Sequence, residues 1–348
     1  MAENKPSSHP ITLREFAQSV GLSTAAVSYI LNGKAVQMKI AAETVKRVQA
    51  AAKSVGYRPN PLARNLRRQK SDAIAVILSD LGPAWPQGIM DGIQPILEPA
   101  GYLPILSLHH WNPEREQKEI LSSIQRKTAA IITQPLPENA AFYERLRRSA
   151  KIPFLLLGDN LPNTPKLNFV AWNSGPAAEM TVAHLIEIGR NRIAFLGAEY
   201  DTVMTQARFE GYRRQLELHG LPVDPRYIIW HPSGELVAPA VEKLLKVSPR
   251  PDAIFAMNDD IALQALDYLA SKKIAVPKEI AVAAMGDLAP SRLSMVSLTT
   301  CREPCKEIGQ AAGEGILKLM ESPETPLQTL IPCSELYTRG TTRRGKKS

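Results

Sequence analysis

Residues 23–32 read Ser-Thr-Ala-Ala-Val-Ser-Tyr-Ile-Leu-Asn, with small polar side chains crowded at the start. Ser23, Thr24, Ser28 and Tyr29 offer hydroxyls, which donate to phosphate oxygens or reach base edges, and Ala25 offers a methyl that fits a thymine methyl. None is a bidentate reader such as Arg or Gln, so base readout from this stretch alone is modest. A second set of reactive types is scattered further along. Arg208, at a predicted helix start, has the fork to grip hydroxyls or a carboxylate. Asp287, just past a predicted strand, accepts from hydroxyls or an amine, and Trp85 offers a flat face for a sugar ring or heterocycle. The corresponding structural roles are an interlobe ion pair and a rim aromatic.

Enzyme chemistry has little to work with. The chain lacks G-x-S-x-G, H-E-x-x-H, G-x-x-x-x-G-K-[ST] and C-x-x-C. Cys301 and Cys305 are four apart without a further pair of ligands nearby, so neither metal nor cofactor is expected, and no catalytic residue is assigned. His109-His110-Trp111 follows a strand and could line a cleft, but reads better as an exposed loop, and His184 reads as a packed core histidine. Asp159, Asn258 and Asp259 read as strand-end caps.

The elements that must position the first set are helices. Thr12-Leu13-Arg14-Glu15 spells a capping box, followed by Leu13, Phe16, Ala17 and Val20 at helical spacing. Gly21 ends that helix, Ser23 caps a second, and Asn32-Gly33 ends the second with residues that tolerate a left-handed backbone. A third helix is predicted over about 43–55. Ala17, Gly21 and Val27 fall where a helix-turn-helix needs a small crossing residue, a turn glycine and an apolar anchor. Charge agrees: residues 1–70 hold twelve Lys/Arg against Glu3, Glu15 and Glu43, while the rest of the chain is one charge short of neutral. A basic head on a nearly neutral body points to a polyanion, here double-stranded DNA. Residues 59–71 follow as a hinge: Asn60 suits a cap, Pro61 a first turn, and Leu62 and Leu66 lie one turn apart. Under ten residues is too short for a helix that stands alone, so this one needs support from elsewhere.

From Ala73 the pattern alternates between strands and helices. Ala73–Leu78 is a continuous apolar run, as in a strand buried on both faces. Two such series, with the second beginning near Phe169, predict two Rossmann-like parallel-sheet lobes with a ligand cleft between them. The N-terminal ten residues lack the apolar core of a signal peptide, and the odd number of cysteines argues against a disulfide framework, so a reducing cytoplasmic compartment and no membrane are expected.

The head resembles that of the lactose repressor/galactose repressor family in Thr12–Ala17, Gly21–Asn32, Gly56–Asn60 and Leu62–Leu66. The body resembles it in Arg208-Phe209-Glu210-Gly211-Tyr212, Phe255-Ala256-Met257-Asn258-Asp259, Val282–Asp287, Leu298-Thr299-Thr300 and Arg339-Gly340-Thr341. The resemblance covers nearly the whole chain and implies a fold: a small all-α helix-turn-helix domain (1–58), a hinge helix (59–71) and a two-lobed periplasmic-binding-protein-like α/β core (72–338). It puts residues 72–171 with 299–326 in the first lobe and 172–298 with 327–338 in the second, leaving 339–348 as a basic tail. By resemblance, Thr24, Ala25 and Tyr29 read bases, and Thr12, Ser23, Ser28, Asn32 and Thr44 contact phosphate. Tyr57, Asn60, Ala63, Arg64 and Arg67 complete the DNA face, with Leu66 as a minor-groove wedge. Asn173, Arg208, Trp85 and Asp287 become effector contacts, with Trp172-Asn173 replacing a common Asp-Asn pair. Two departures stand out: the 33–42 loop is about three residues longer than usual, and Ala41 replaces a capping serine. The implied function is a repressor that binds a pseudo-palindromic operator as a homodimer under control of a small effector such as a sugar. A solute-binding transport protein and an architectural DNA-binding protein without a ligand are the alternatives.

Overall fold

The structure is a computed structural model that describes residues 11–57, 71–81, 85–149, 152–158, 161, 164, 166–199, 202–232, 235–332 and 335–343. Asn60, Ala63, Arg64, Leu66 and Arg67, and with them the expected hinge helix, lie outside the described residues, as does Asp159. The chain divides into two compact units, Met1–Ser71 and Asp72–Ser348.

In the first unit, α1 (Leu13–Ser19), α2 (Thr24–Leu31) and α3 (Ala42–Ser54) surround a small core of Phe16, Ala17, Val27, Ile30, Ala35, Val48 and Ala52. The capping box forms in full: Glu15 N–H donates to Thr12 Oγ1 at 3.3 Å, and Thr12 N–H donates to Glu15 Oε2 at 2.8 Å. Gly21 takes φ +69°, the left-handed turn that a side chain would strain. Ala41 stands at the start of α3 and gives no side-chain cap, leaving that helix end one acceptor short.

The second unit holds two six-stranded sheets of the same design. In the first sheet, β1 (Ala73–Leu78), β2 (Leu103–Leu108), β3 (Ala130–Thr133), β4 (Phe154–Gly158), β5 (Phe169–Trp172) and β11 (Gln328–Ile331) run in the order β11-β5-β4-β3-β1-β2. In the second, β6 (Ile193–Ala198), β7 (Ile228–His231), β8 (Ala253–Ala256), β9 (Ala281–Gly286), β10 (Thr299–Arg302) and β12 (Leu336–Tyr337) run β12-β10-β9-β8-β6-β7. All pairs are parallel except β10 with the short β12. Helices α4 (Trp85–Leu97), α5 (Pro113–Gln125), α6 (Ala140–Ser149) and α11 (Cys305–Glu321) go with the first sheet. Helices α7 (Ser174–Glu187), α8 (Val203–Leu218), α9 (Ala238–Lys246) and α10 (Asp259–Ser271) go with the second.

Buried β-runs such as Ile74–Leu78 and Ala281–Met285 form the core, as expected for strands covered on both faces. Glycine sets the closest helix contact. A Cβ on Gly92 of α4 would collide with the backbone of Lys306 and Gly309 in α11, so these two helices touch backbone to backbone.

The sheets correct the expected lobe boundaries. Strand β5 belongs to the first lobe, closing it rather than opening the second. Thr299–Arg302 pairs with β9 in the second lobe and Gln328–Ile331 with β5 in the first, the reverse of the expectation. The chain therefore crosses between lobes at 172–174, 302–305 and 331–336. The expected basic tail is also corrected in part: Thr341 and Thr342 are buried, and Thr341 Oγ1 accepts from Thr299 N–H at 2.8 Å. Its first residues are thus stitched to β10.

Candidate functional site

On the head, Ser23 Oγ accepts from Ala26 N–H at 3.1 Å, fixing the start of α2, and Ser23, Thr24 and Ala25 are all exposed there. Ser28, Tyr29 and Thr44 are half-buried. The Asn32 amide donates to Ser28 O at 2.7 Å and Ser28 Oγ at 3.2 Å, so its donors serve the end of α2. Tyr57 stacks on Phe16 with centroids 4.5 Å apart, so its ring packs onto the head core. Thr12 is exposed, with its hydroxyl on Glu15.

In the two-lobed unit a cavity of about 110 Å³ opens at the carboxyl ends of both sheets. That is where strand order reverses, between β1 and β3 in one lobe and between β6 and β8 in the other, and ligands of doubly wound sheets bind there. The first lobe brings Ser79, Asp80, Trp85, Trp111 and Gln134; the second brings Thr202, Met204, Thr205, Arg208 and Met257 to Asp260. Gln134 Oε1 accepts from Ser79 N–H at 3.0 Å, joining the two first-lobe strand ends. Trp85 lies over the end of β4, where a Cβ on Gly158 would come within 2.9 Å of its ring; among the described residues its buried Nε1 meets no acceptor in hydrogen-bond geometry, though the indole stands near enough to Glu303 to oppose the rise of its carboxyl.

Arg208 is buried within this wall, its two terminal nitrogens engaged and its Nε without a hydrogen-bond partner among the described residues. It is 2% exposed and donates through Nη1 to Met257 O at 2.8 Å and through Nη2 to Glu303 Oε2 at 3.0 Å. Its guanidinium lies 5.4 Å from the Trp172 ring centroid, within cation–π range. Burial raises the Glu303 carboxyl from its ordinary range, and Arg208 opposes that rise. Asp259 is raised by burial too, against hydroxyl donors from Ser291 (2.6 Å) and Thr300 (2.6 Å) and the Leu288 N–H (2.8 Å). Asp260 is raised first by burial, then by Asp259 and Asp80.

Of the four expected effector contacts, the structure brings Trp85 and Arg208 to the cavity and leaves Asn173 and Asp287 outside its lining. Asn173 begins α7 without a side-chain cap. Asp287, at φ +59°, turns its carboxylate to Arg339 (2.6 Å) and Arg292 (2.8 Å), an ion-pair cluster within the second lobe. The expected exposed loop at 109–111 is corrected. His109 is fully buried and its pKa is pushed down to about 4 by that burial, while Trp111 lines the cavity and donates through Nε1 to Asp80 Oδ2 at 2.9 Å. His184 is half-buried, with Nε2 at 2.8 Å from Thr342 Oγ1. Asn258 caps α10 by accepting from Ile261 N–H, a strand-end role. Asp80, Gln134, Thr202, Thr205 and Asp260 were missed. Their only signal in the sequence is position, directly after a strand or at a helix start.

Among the described residues no three metal-ligating side chains cluster, and no helix is long and apolar enough to cross a membrane.

A three-helix head with a capped, hydroxyl-bearing second helix, carried on the same chain as a two-lobed core with a switch-point cavity, defines a DNA-binding regulator with an effector module. Residues 12–60 match the model of bacterial regulatory proteins of the lacI family, and residues 182–342 that of the periplasmic binding protein-like domain. The chain is 30% identical over 334 residues to the HTH-type transcriptional regulator GntR of Pseudomonas aeruginosa, with 95% of each chain covered. It is 27% identical over 335 residues to the HTH-type transcriptional repressor CytR of Escherichia coli, covering 95% of this chain and 96% of that one. A solved lac repressor dimer bound to operator and the anti-inducer ONPF shares the fold, with a TM-score of 0.83 at 22% identity over 97% of this chain and 100% of that one. The chain belongs to the lacI family of bacterial regulatory proteins, and it is a helix-turn-helix transcriptional regulator.

Proposed function

We propose that this regulator is a cytoplasmic repressor without enzymatic activity. It binds a pseudo-palindromic double-stranded operator as a homodimer, and a small polar metabolite, a sugar or related compound, closes its interlobe cleft and resets operator affinity. The observation that carries the reading is the cavity shared by both lobes. Trp85 and Trp111 give it flat apolar walls, and Gln134, Thr202 and Thr205 give it polar groups suited to hydroxyls. A ligand held by both lobes binds the closed form more tightly than the open one, which is the differential affinity a switch needs.

Support for a homodimer comes from the first lobe's edge. Leu103 and Ile105 of the edge strand β2 are 57% and 44% exposed, and Leu81 and Leu121 of the same lobe are exposed too. An edge strand with this much apolar surface is a pairing surface rather than a solvent-facing one. Two hinge segments brought side by side on DNA support one another, and Leu66 wedges into the minor groove with Ala63 beside it and Arg64 and Arg67 near phosphates.

The test pairs a metabolite screen by thermal shift with an operator-binding assay on the full chain at several salt concentrations. A compound that raises the melting temperature and changes operator affinity in the wild type, and does neither in Trp85→Ala, supports the cleft. Equal action on Trp85→Ala sinks it. In the same assay, Leu66→Ala weakens operator binding by about 1 kcal/mol or more with effector affinity unchanged, since a wedge contributes on the order of a few kcal/mol.

A further inference from the structure

We propose that His109 is a positioning residue of the cleft: a neutral imidazole that carries its proton on Nε2, ties the end of β2 to the end of β3, and holds Trp111 and Gln134 in the cavity wall. The inference rests on the cleft being the effector site. In the first sheet β1 lies between β3 and β2. His109 directly follows β2 and Gln134 directly follows β3, so the imidazole reaches across the end of the central strand at the switch point. It is fully buried and does not itself line the cavity, whereas Ser79, Asp80, Trp111 and Gln134 do.

The partners fix the tautomer. Gln134 O can only accept, so Nε2, 3.2 Å away, must carry the proton. The Trp111 backbone N–H can only donate, and it reaches Nδ1 at 3.2 Å, so that nitrogen must be bare. An imidazolium would set two donors against each other at Nδ1. Burial pushes the His109 pKa down to about 4; the Gln134 carbonyl and Asp80 oppose that fall, and His110 and Arg115 add to it. The neutral form therefore holds at neutral pH.

A histidine that only filled space would need neither link. The loop it anchors has little local preference for its shape: His110 and Trp111 take φ +50° and +57°, a left-handed backbone that side chains disfavour. His110 N–H donates to Ser79 O at 2.6 Å and Asn112 N–H to His109 O at 3.1 Å, and the imidazole supplies the acceptor between them. The Trp111 ring is set from two sides. It meets the imidazole edge to face, with centroids 6.2 Å apart, and donates through Nε1 to Asp80 Oδ2 at 2.9 Å. Gln134 is held likewise, by the imidazole at its carbonyl and by Ser79 N–H at its Oε1, 3.0 Å away.

The test uses the full chain in two readouts. Protein labelled with 15N at histidine reports the ring nitrogens of His109, assigned by the signals that His109→Asn removes. The wild type is expected to show a proton on Nε2, a bare Nδ1 and no titration between pH 8 and pH 5. A proton on Nδ1, or titration within that range, overturns the proposal. The second readout incorporates 5-fluorotryptophan and follows the 19F resonance of Trp111, identified by Trp111→Phe, against that of Trp230 in the second lobe. His109→Asn keeps an acceptor near the place of Nδ1, and the Trp111 resonance stays within its own linewidth. His109→Gln moves its amide out towards the place of Nε2 and His109→Leu keeps bulk alone, so both shift that resonance by more than its linewidth while Trp230 stays put. A Trp111 resonance that His109→Leu leaves in place, or that all three variants shift alike, reduces the imidazole to packing and overturns the proposal. Where a variant does not fold, which the Trp230 resonance reports, the wild-type tautomer decides. Both readouts work without a ligand, so they hold or fail apart from the metabolite screen, whose Trp85→Ala arm decides the cleft reading itself.

Discussion

Replacing Arg208 by Met removes the one guanidinium among the described residues of the cleft wall and takes from Glu303 its ion-pair partner. The two side chains are 3% and 8% exposed and meet at 3.0 Å, so water does not replace the lost guanidinium. Breaking a buried pair from one side costs about 3–5 kcal/mol when the remaining charge stays ionised. The hydrogen bond to Met257 O and the contact with the Trp172 ring add on the order of 1 kcal/mol each. The first part depends on pH and the rest does not. Burial already holds the folded Glu303 carboxyl above its ordinary value of 4.5, and without Arg208 it rises further. Below 4.5 the group is protonated in both folded and unfolded chains, so the variant loses only the hydrogen bond and ring contact, about 2 kcal/mol. As pH rises through the folded value, the folded state must ionise a buried acid or hold a proton the unfolded state has released, and stability falls.

Urea unfolding of wild type and Arg208→Met at pH 5 and pH 8 reads this directly. The gap in stability is expected to widen by about 1 kcal/mol or more between the two, since each unit of pKa difference corresponds to about 1.4 kcal/mol. Adding Glu303→Gln to the Arg208→Met chain narrows the gap at pH 8 and changes little at pH 5. A gap that is the same at both pH values, and that Glu303→Gln does not narrow, would refute the account of Glu303 as a carboxylate held in place by Arg208.

Three further outcomes follow from the structure. Gly92→Ala drives a methyl into the α11 backbone and lowers the urea midpoint by a stability equivalent of about 1–3 kcal/mol, the usual cost of overpacking; an unchanged midpoint contradicts the backbone contact between α4 and α11. Ala41→Ser supplies the missing cap of α3 and stabilises the head by about 1 kcal/mol, read as slower hydrogen exchange at the first amides of that helix. Glu116 is fully buried and raised by burial, with Tyr143, Asn139 and Thr133 donating to it, so wild-type stability falls as pH rises from 4.5 through its folded value. Glu116→Gln gives a shallower fall at a cost of about 1 kcal/mol at pH 5, and parallel curves for the two chains count against this assignment.

What the sequence made legible was local. Thr12 and Glu15 are three residues apart, and the capping box they announce depends on nothing else. Gly21 and the apolar run Ala73–Leu78 likewise carry their own signal. The lobe boundaries were not legible, because they turn on which sheet two short strands join. Thr299–Arg302 and Gln328–Ile331 are each four residues long, and their partners Ala283–Gly286 and Phe169–Trp172 are chosen by tertiary packing across distant parts of the chain. Phe169–Trp172 follows four strands of one lobe and resembles the start of another only because its last partner, β11, arrives some 160 residues later. In the site, Arg208 was legible as a fork-bearing residue expected at a helix start, though the helix begins earlier, at Val203, and its partner Glu303 stands 95 residues on. Asp287 looked free from the sequence because Arg339, 52 residues away, was assigned to a solvated tail. Asp260 drew no functional reading at all from the sequence, since nothing local distinguishes a half-buried acid from an exposed one.

The same separation explains how the cleft can act as a switch. Glu303 sits on the crossover at 302–305, between a strand of the second lobe and a helix of the first, and its ion pair with Arg208 fastens that crossover to the second lobe. Its backbone N–H also donates to Gly286 O at 3.2 Å. The crossover at 302–305 is therefore tied to the second lobe by an ion pair and a backbone hydrogen bond, and rotation of the lobes must be taken up elsewhere in the crossovers. The cleft lining is different: among the described residues the buried Trp85 Nε1 and Arg208 Nε have no partner in hydrogen-bond geometry. A cleft lined by buried donors that the protein itself leaves unpaired gains little by closing empty. It gains by closing on a ligand that pairs with both walls, which is how a small molecule acquires the differential affinity needed to move a protein between two states.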